Sequence, residues 1–433
     1  MRFLYNILFA LFFCLSAPYY FWKMWRRGNW QTGFKQRFGR YEDLPSADPK
    51  RPTIWLHAVS VGEVNICAQV IRELRQRAPH YRIIVSTTTS TGMGELHKRL
   101  PEGVEKVYYP VDFLPFVRRA LDRIQPVAVA LIEAEIWPNF LWELQRRQIP
   151  HFLVNARVSE RSYRGYRRFG FLFAPLFATF QGVGAQNEED SVRLREIGCQ
   201  PSAVHVFGNL KFDAVHLPTQ RPIDVPAMLA SAGWKPGAPV FLGGSTFPGE
   251  EKILGEIYLR LRQQQPDLFL VLVPRHFERA QVAVADLTAL GLKVTCRSEL
   301  NGATTPSKSD CLLVNTTGEL LYFYEHATVV FVGKSLNAKG GQSPIEPAAL
   351  GKAMTFGPNM QNFASIVRAF LLAKGAVQVR DATELERVLA DLLAHPAKRE
   401  ELGRNGLAVV QQNQGATQRT IEMLLSQINI APR

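Results

Sequence analysis

The feature that most constrains the fold of this 433-residue chain is a rhythm of apolar runs. Short runs rich in β-branched residues fall at 53–59, 82–87, 127–132, 151–154 and 204–207. Amphipathic stretches at 63–78, 113–124, 139–148 and 188–197 separate them. An unbroken apolar strand needs cover on both faces, so the alternation predicts a parallel sheet flanked by helices. Residues 213–238 interrupt the rhythm with Pro218, Pro222, Pro226 and Pro236 and read as a linker. A second series follows, with apolar runs at 239–243, 268–273, 292–296, 311–314, 328–332 and 353–356. Its helical stretches are 249–264, 277–290, 345–351, 362–373 and 382–393, with a helical tail at 397–427. The expectation is an α/β protein of two doubly wound domains, 41–212 and 239–433, facing each other across a cleft. A composition of 46% hydrophobic and 21% charged residues excludes wholesale disorder.

In doubly wound sheets ligands bind beyond the carboxyl ends of the strands, so functional residues are sought just after the apolar runs. The first run ends in His57-Ala58-Val59-Ser60-Val61-Gly62-Glu63. Glu63 falls in a first helical turn, where it serves either as a general base or as a plain dipole partner. Ser86 to Gly92 is a hydroxyl-rich loop, either a polar ligand lining or a helix cap. Glu133-Ala134-Glu135-Ile136-Trp137-Pro138-Asn139 sets two carboxylates after a core run, for ligand contact or structural pairing. Lys211 closes the first series within Gly208-Asn209-Leu210-Lys211-Phe212-Asp213.

In the second series Gly243-Gly244-Ser245-Thr246 precedes Glu250 at a helix start, a composition suited to an anion. Pro274-Arg275-His276 places a cation after another strand. Gly340-Gly341-Gln342-Ser343-Pro344-Ile345-Glu346 opens a helix with an acid fit to accept ribose hydroxyls. Together these predict a nucleotide-phosphate site. The P-loop and the G-x-G-x-x-G fingerprint are both missing, which weakens NTP hydrolysis and dinucleotide binding. No Asp-x-Asp and no His/Cys pair at ligand spacing occurs, so no metal is expected. The five cysteines are scattered and form no C-x-x-C, which fits a reducing compartment.

From Phe3 to Trp22 the chain is uncharged for a span close to a bilayer core, with Tyr19, Tyr20, Trp22 and Trp25 suited to its interface. The cationic run that follows favours an uncleaved single-pass anchor with the rest of the chain on the cytoplasmic side. The main competitor is a cleaved signal peptide, disfavoured because Pro18 follows the small residues Ser16 and Ala17; the plainer reading is a helix lying in the interface without spanning. The net charge of +13 is concentrated. Residues 1–40 hold seven cations and no acid, and Arg157, Arg161, Arg164, Arg167 and Arg168 face only Glu160 within 151–170. That distribution argues against a nucleic-acid coat and for membrane and phosphate contacts.

The blocks HAVSVGE, EAEIWPN, NARVSERSYRGYRR, GNLKFD, GGSTFPGEE, PRHFER and GGQSPIEPAALGKAMTFGP resemble those of bacterial 3-deoxy-D-manno-octulosonic acid (Kdo) transferases, enzymes of the lipopolysaccharide inner core. The resemblance covers nearly the whole chain, in the family's order. It implies a GT-B fold of two Rossmann-like domains, the first for acceptor and the second for donor. It implies CMP-Kdo as donor, a phosphorylated tetraacyl lipid A precursor (lipid IVA) as acceptor, an inner-membrane location, and neither a cofactor nor a metal. By position Glu63 matches the general base, and Glu133 and Lys211 match residues that stabilise the transition state. Ser245 and Thr246 lie where donor phosphate or carboxylate is held. Pro274, Arg275, Gly318, Glu319, Leu320, Ser343, Pro344, Ile345 and Glu346 match the CMP contacts. Two departures stand out: Gly-Gly-Gln-Ser-Pro-Ile replaces the usual Gly-Gly-His-Asn with Leu before Glu-Pro, and Ala134 replaces a Thr between the two carboxylates. The rival readings are a GT-B transferase with another nucleotide sugar, or a membrane-anchored protein that binds phospholipid or nucleic acid through the Arg157–Arg168 patch.

Overall fold

The computed structural model describes residues 2–26, 31–133, 135–215, 223–300 and 308–428. Arg27, Ala134 and residues 216–222 of the expected linker lie outside them. The chain divides into two compact units, Met1–Ala214 with Asn413–Arg433, and Val215–Gln412.

The first unit carries seven strands: β1 (Thr53–His57), β2 (Arg82–Thr87), β3 (Glu105–Tyr108), β4 (Pro126–Ile132), β5 (His151–Ala156), β6 (Gly182–Ala185) and β7 (Val204–Val206). They form one sheet in the order β3-β2-β1-β4-β5-β6-β7, and every pairing is parallel. Every residue of β1, β2 and β5 is buried. Alternate side chains serve opposite faces: Ile54 and Leu56 join one core cluster, Trp55 the other. The strand order reverses between β1 and β4, the switch point of a doubly wound sheet.

The second unit repeats the plan with β8 (Val240–Thr246), β9 (Phe269–Pro274), β10 (Val294–Cys296), β11 (Cys311–Leu313), β12 (Val329–Val332), β13 (Ala353–Phe356) and β14 (Val377–Gln378). Their order is β10-β11-β9-β8-β12-β13-β14, again all parallel, with the switch between β8 and β12.

Eleven expected strands appear within a few residues of their predicted bounds. The sequence reading missed β3, β6 and β14. In β3, Glu-Lys-Val-Tyr, only two residues are buried. The glycines of β6 conceal its apolar pattern, and β14 has two residues. The expected linker region also holds a helix, Val225–Ser231, capped by Asp224.

The tail requires a correction. The expected helix over 397–427 is two helices, Pro396–Asn413 and Ala416–Ile428, separated at Gly415 (φ +80°). The second helix belongs to the first unit and not to the domain that precedes it in sequence. Asp213 fixes the changeover: its carboxylate accepts hydrogen bonds from Gly415 N and Thr417 N, both at 2.7 Å. Ile421, Met423, Leu424 and Ile428 then complete the core cluster on one face of the first sheet. A Cβ on Gly182 would meet Met423 Sδ at 2.6 Å, so β6 uses glycine where this helix crosses it closely.

Leu424 is fully buried. Leu424→Ala is expected to destabilise the first unit by about 2–5 kcal/mol, the usual cost of a large-to-small core change. Urea unfolding followed by a probe in 41–212 checks this. A loss confined to the second unit would contradict the assignment of the tail.

Candidate active site

The carboxylates of the first unit stand where its switch point requires. Ser60 N-caps the helix Val61–Arg77, and Glu63 closes a capping box with it. Glu63 Oε2 accepts from Val59 N at 2.8 Å, Oε1 accepts from Ser60 N at 3.3 Å, and Glu63 N donates to Ser60 Oγ at 3.2 Å. The reading of this acid as a helix-terminus partner is met by these bonds. Glu63 is a structural cap, and it is also a carboxylate fixed in rotamer at the end of β1. Burial raises its pKa above the ordinary carboxylate value, the backbone bond from Val59 and that with Ser60 oppose the rise, and Glu133 and Glu135 add to it.

Glu133 follows β4, on the other side of the switch point, and its backbone is left-handed (φ +63°). A non-glycine residue there is strained by about 1–2 kcal/mol. Glu135 is held by Trp137 Nε1, which donates to its Oε2 at 3.0 Å. Burial raises the Glu135 pKa, with Glu133 adding to the shift. Lys211 comes in from the turn Leu210–Ala214 after β7. A Cβ on Gly62 would lie 3.9 Å from Lys211 Nζ, an ordinary contact distance, which sets the ammonium beside the helical turn that carries Glu63. Burial lowers the Lys211 pKa; Glu133 and Glu63 oppose that shift, and Arg157 reinforces it. The structure therefore brings Glu63, Glu133 and Lys211 together, with Glu135 and Arg157 beside them.

A buried amide network, absent from the expected site, positions Lys211. Asn155 on β5 is fully buried with φ +54°, and its Oδ1 accepts from Leu210 N at 3.0 Å. Gln186 Nε2 donates to Asn155 O, Asn209 Nδ2 donates to Gln186 Oε1, and Lys211 N donates to Asn209 Oδ1. The motif blocks contain Asn155 and Asn209, but only the fold shows that they join. The hydroxyl-rich loop resolves toward capping: Thr89 Oγ1 accepts from Gly92 N, and Ser86 Oγ accepts from Trp55 Nε1. The arginine-rich stretch forms the helix Glu160–Arg168, with Arg161, Arg164, Arg167 and Arg168 exposed.

In the second unit Ser245 and Lys334 are the counterparts of Glu133, non-glycine residues with left-handed backbones (φ +52° and +56°) at the ends of β8 and β12. Thr246 is buried, and its hydroxyl donates to Glu251 Oε1 at 2.8 Å, so Ser245 is the more accessible of the pair. Glu250 is a buried clamp. Its two oxygens accept from the backbone N–H groups of Phe247, Lys334, Ser335 and Leu336 at 2.6–3.0 Å. The N–H groups of that glycine-flanked turn are thus taken by the protein's own carboxylate.

Arg275 is exposed after β9, next to half-buried Pro274. Glu346 starts the helix Ile345–Ala349; burial raises its pKa and the Arg275 guanidinium opposes the rise. That helix packs on Leu320–Tyr324, which joins the Gly318-Glu319-Leu320 turn to Ser343, Pro344, Ile345 and Glu346. Gly318 supplies φ +83°, and Arg297 and Thr316 hold the Glu319 carboxylate. Tyr324 lies beneath, and a Cβ on Gly244 would strike its hydroxyl at 2.2 Å. The structure therefore gathers Arg275, 318–320 and 343–346 around the ends of β8 and β9.

Asn155 gives a direct test of the network. Asn155→Ala is expected to lose more stability than Asn155→Gly, by about 1 kcal/mol, because only glycine accepts the left-handed backbone freely. Both variants strand Leu210 N, at about 1–3 kcal/mol. Thermal unfolding of the pair checks the order, and equal losses would remove backbone strain from the account.

A family profile described as 3-deoxy-D-manno-octulosonic-acid transferase (kdotransferase) matches residues 32–214. The chain is 32% identical over 90% of its length to a 3-deoxy-D-manno-octulosonic acid transferase of Haemophilus influenzae, spanning 90% of that protein. It is 34% identical over 94% of its length to one from Bordetella pertussis, spanning 96% of it. In fold it is similar to a glycosyltransferase from Rickettsia africae, at TM-score 0.54 and 12% identity, over 88% of this chain and all of that one. It is also similar to the UDP-GlcNAc 2-epimerase of Neisseria meningitidis, at TM-score 0.53 and 14% identity, over 86% of this chain and all of that one. With two parallel seven-stranded sheets and these neighbours the fold is GT-B. The chain belongs to the 3-deoxy-D-manno-octulosonic acid transferase family and is a glycosyltransferase.

Proposed function

We propose that the protein transfers Kdo from CMP-Kdo to a phosphorylated tetraacyl lipid A precursor, with inversion at the anomeric carbon. The observation that carries this reading is the grouping of Glu63, Glu133 and Lys211 at the switch point of the first sheet. Glu63 acts as general base. It takes a proton from a glucosamine hydroxyl of the acceptor, that oxygen attacks the Kdo anomeric carbon, and CMP departs. The raised pKa suits the role, because a stronger base takes the proton more readily. Its capping bonds hold it in place without using every lone pair of the two oxygens. Lys211 and Glu133 supply charge of both signs beside the forming bond, where an oxocarbenium-like centre develops.

In the second unit Arg275 and the turns at 318–320 and 343–346 hold the cytidine monophosphate, with Glu346 accepting ribose hydroxyls. Ser245 receives the phosphate or the Kdo carboxylate. The reaction needs no metal in this scheme, since Arg275 and backbone N–H groups balance the leaving phosphate. The apolar N-terminal helix and its cationic flank keep the enzyme at the inner membrane, on the cytoplasmic face, where the lipid acceptor is presented.

Three outcomes test this. Glu63→Gln keeps the capping box, which accepts glutamine at this position. It is therefore expected to fold normally and to lose about 100- to 10,000-fold in transfer rate; near-normal transfer would remove Glu63 from the base role. The wild-type rate is expected to rise with pH through an acid limb above the ordinary carboxylate range of about 4. The sign follows from burial: the folded protein retains the proton past the point where the unfolded chain has lost it. Ionisation at rising pH thus costs stability while it creates the base, and Glu63→Gln should remove both effects. Finally, CMP should inhibit competitively with the donor and UDP should not. Inhibition by UDP alone would point to a different nucleotide sugar.

A further inference from the structure

The helix Arg2–Arg26 is long and apolar enough to cross a bilayer. Its first turns, however, are fastened to the first unit by buried polar groups. Tyr5 OH donates to Asp112 Oδ2 at 2.8 Å. Asn6 and Asn139 exchange amide hydrogen bonds at 2.9 and 3.2 Å, and Arg2 pairs with Glu143. Asp112, Asn139 and Glu143 are at most 1% exposed. The Tyr5 ring also packs edge-on against Trp142, with centroids 5.6 Å apart.

The segment after the helix returns to the same loop. Tyr108 N donates to Gln36 Oε1 at 2.8 Å, and Val111 N donates to Arg37 O at 2.8 Å. Gly33 lies against the Tyr108 ring so closely that a Cβ there would overlap it. Residues 5 and 37 are therefore held by neighbouring residues, Asp112 and Val111. A chain that started at Asp112 and crossed the bilayer as a helix would have Arg26 on the far side, beyond a core of about 30 Å. Six residues lie between Arg26 and Gly33, and the seven steps reach at most about 25 Å. The reverse topology, with the amino end on the far side, would break the bonds of Tyr5 and Asn6. Keeping these bonds requires both ends of the helix to be on one side of a membrane.

The helix carries a surface for lipid. Leu4, Leu8, Leu11, Leu15, Trp22 and Trp25 are all about half exposed or more. Lys23 stacks over Tyr19 and Arg26 over Trp22, pairing cations with interfacial aromatics. Residues 1–40 contain no acid to oppose anionic headgroups. The helix Gly170–Phe177, which packs on the same Pro138–Arg146 helix as Tyr5 does, adds exposed Phe171 beside Arg167, Arg168 and Phe169.

We propose that the Arg2–Arg26 helix is an in-plane anchor on an anionic lipid surface, stapled by Arg2, Tyr5 and Asn6 to Asp112, Asn139 and Glu143. The staple reaches the catalytic loop. Asp112 also accepts from Asn139 N and Phe140 N, which fixes the start of the helix that the Glu133–Pro138 segment leads into. Lipid binding and the position of the acceptor-side carboxylates are thereby linked through Asp112 and Asn139, in place of a single-pass tether.

The test uses the full chain in sealed membrane vesicles, with one epitope fused ahead of Met1 and another after Arg433. Antibody or protease added from outside should reach both epitopes in one vesicle orientation and neither in the other. Epitopes on opposite faces would overturn the proposal. Binding of the purified full chain to phosphatidylglycerol vesicles should exceed binding to phosphatidylcholine vesicles at least tenfold and weaken with salt. Equal binding to both would overturn the choice of an anionic surface. Neither readout depends on sugar transfer, so a different donor or acceptor would leave this result standing.

Discussion

The constraint on which the rest of the structure depends is the burial of both faces of each parallel sheet. Strands such as β1, β2 and β5 expose no side chain, so they offer no surface on which to put chemistry. Polar and charged groups are pushed to the ends of the strands, and the reversal of strand order opens space for them at one place in each sheet. Glu63 and Glu133 flank that place in the first unit, and Ser245 and Lys334 flank it in the second. The cost is local. Left-handed backbones at Glu133, Asn155, Ser245 and Lys334 mark where the chain bends sharply to present or secure these groups, held there by the surrounding sheet.

Much of this was legible in the sequence, for a physical reason. Fully buried strands read as apolar runs, and the residues just after them stand out as glycines and isolated charges. The motif blocks therefore singled out Glu63, Glu133, Lys211 and Arg275 as candidates, and each stands just beyond a strand. What stayed hidden depends on distance in space. Nothing in Asp213 announces that it will cap a helix two hundred residues onward, so the tail was placed in the wrong unit. Glu250 read only as the start of the helix after an anion-suited turn, and it proves to occupy the N–H groups of Lys334, Ser335 and Leu336 itself. The Asn155–Gln186–Asn209 network needs three strands of the sheet to be assembled before its amides meet. Backbone strain at Glu133 has no sequence signature at all, because glutamate gives no warning of a left-handed residue.

The basic character of the chain acquires a structural division. The seven cations of residues 1–40 accompany an apolar helix, and the exposed arginines of Glu160–Arg168 stand beside exposed Phe169 and Phe171. Inside the first unit, Lys211 and Arg157 approach the carboxylates. The excess charge is thus mostly peripheral, suited to headgroups and acceptor phosphates.

The central claim is that strand-end carboxylates and donor-side turns together move Kdo onto a phosphorylated lipid. Mass spectrometry of the tetraacyl lipid A precursor, after incubation with purified protein and freshly made CMP-Kdo, tests it most directly. The account predicts lipid product heavier by whole Kdo residues, with one CMP released for each. Unmodified lipid beside intact or merely hydrolysed donor would contradict it.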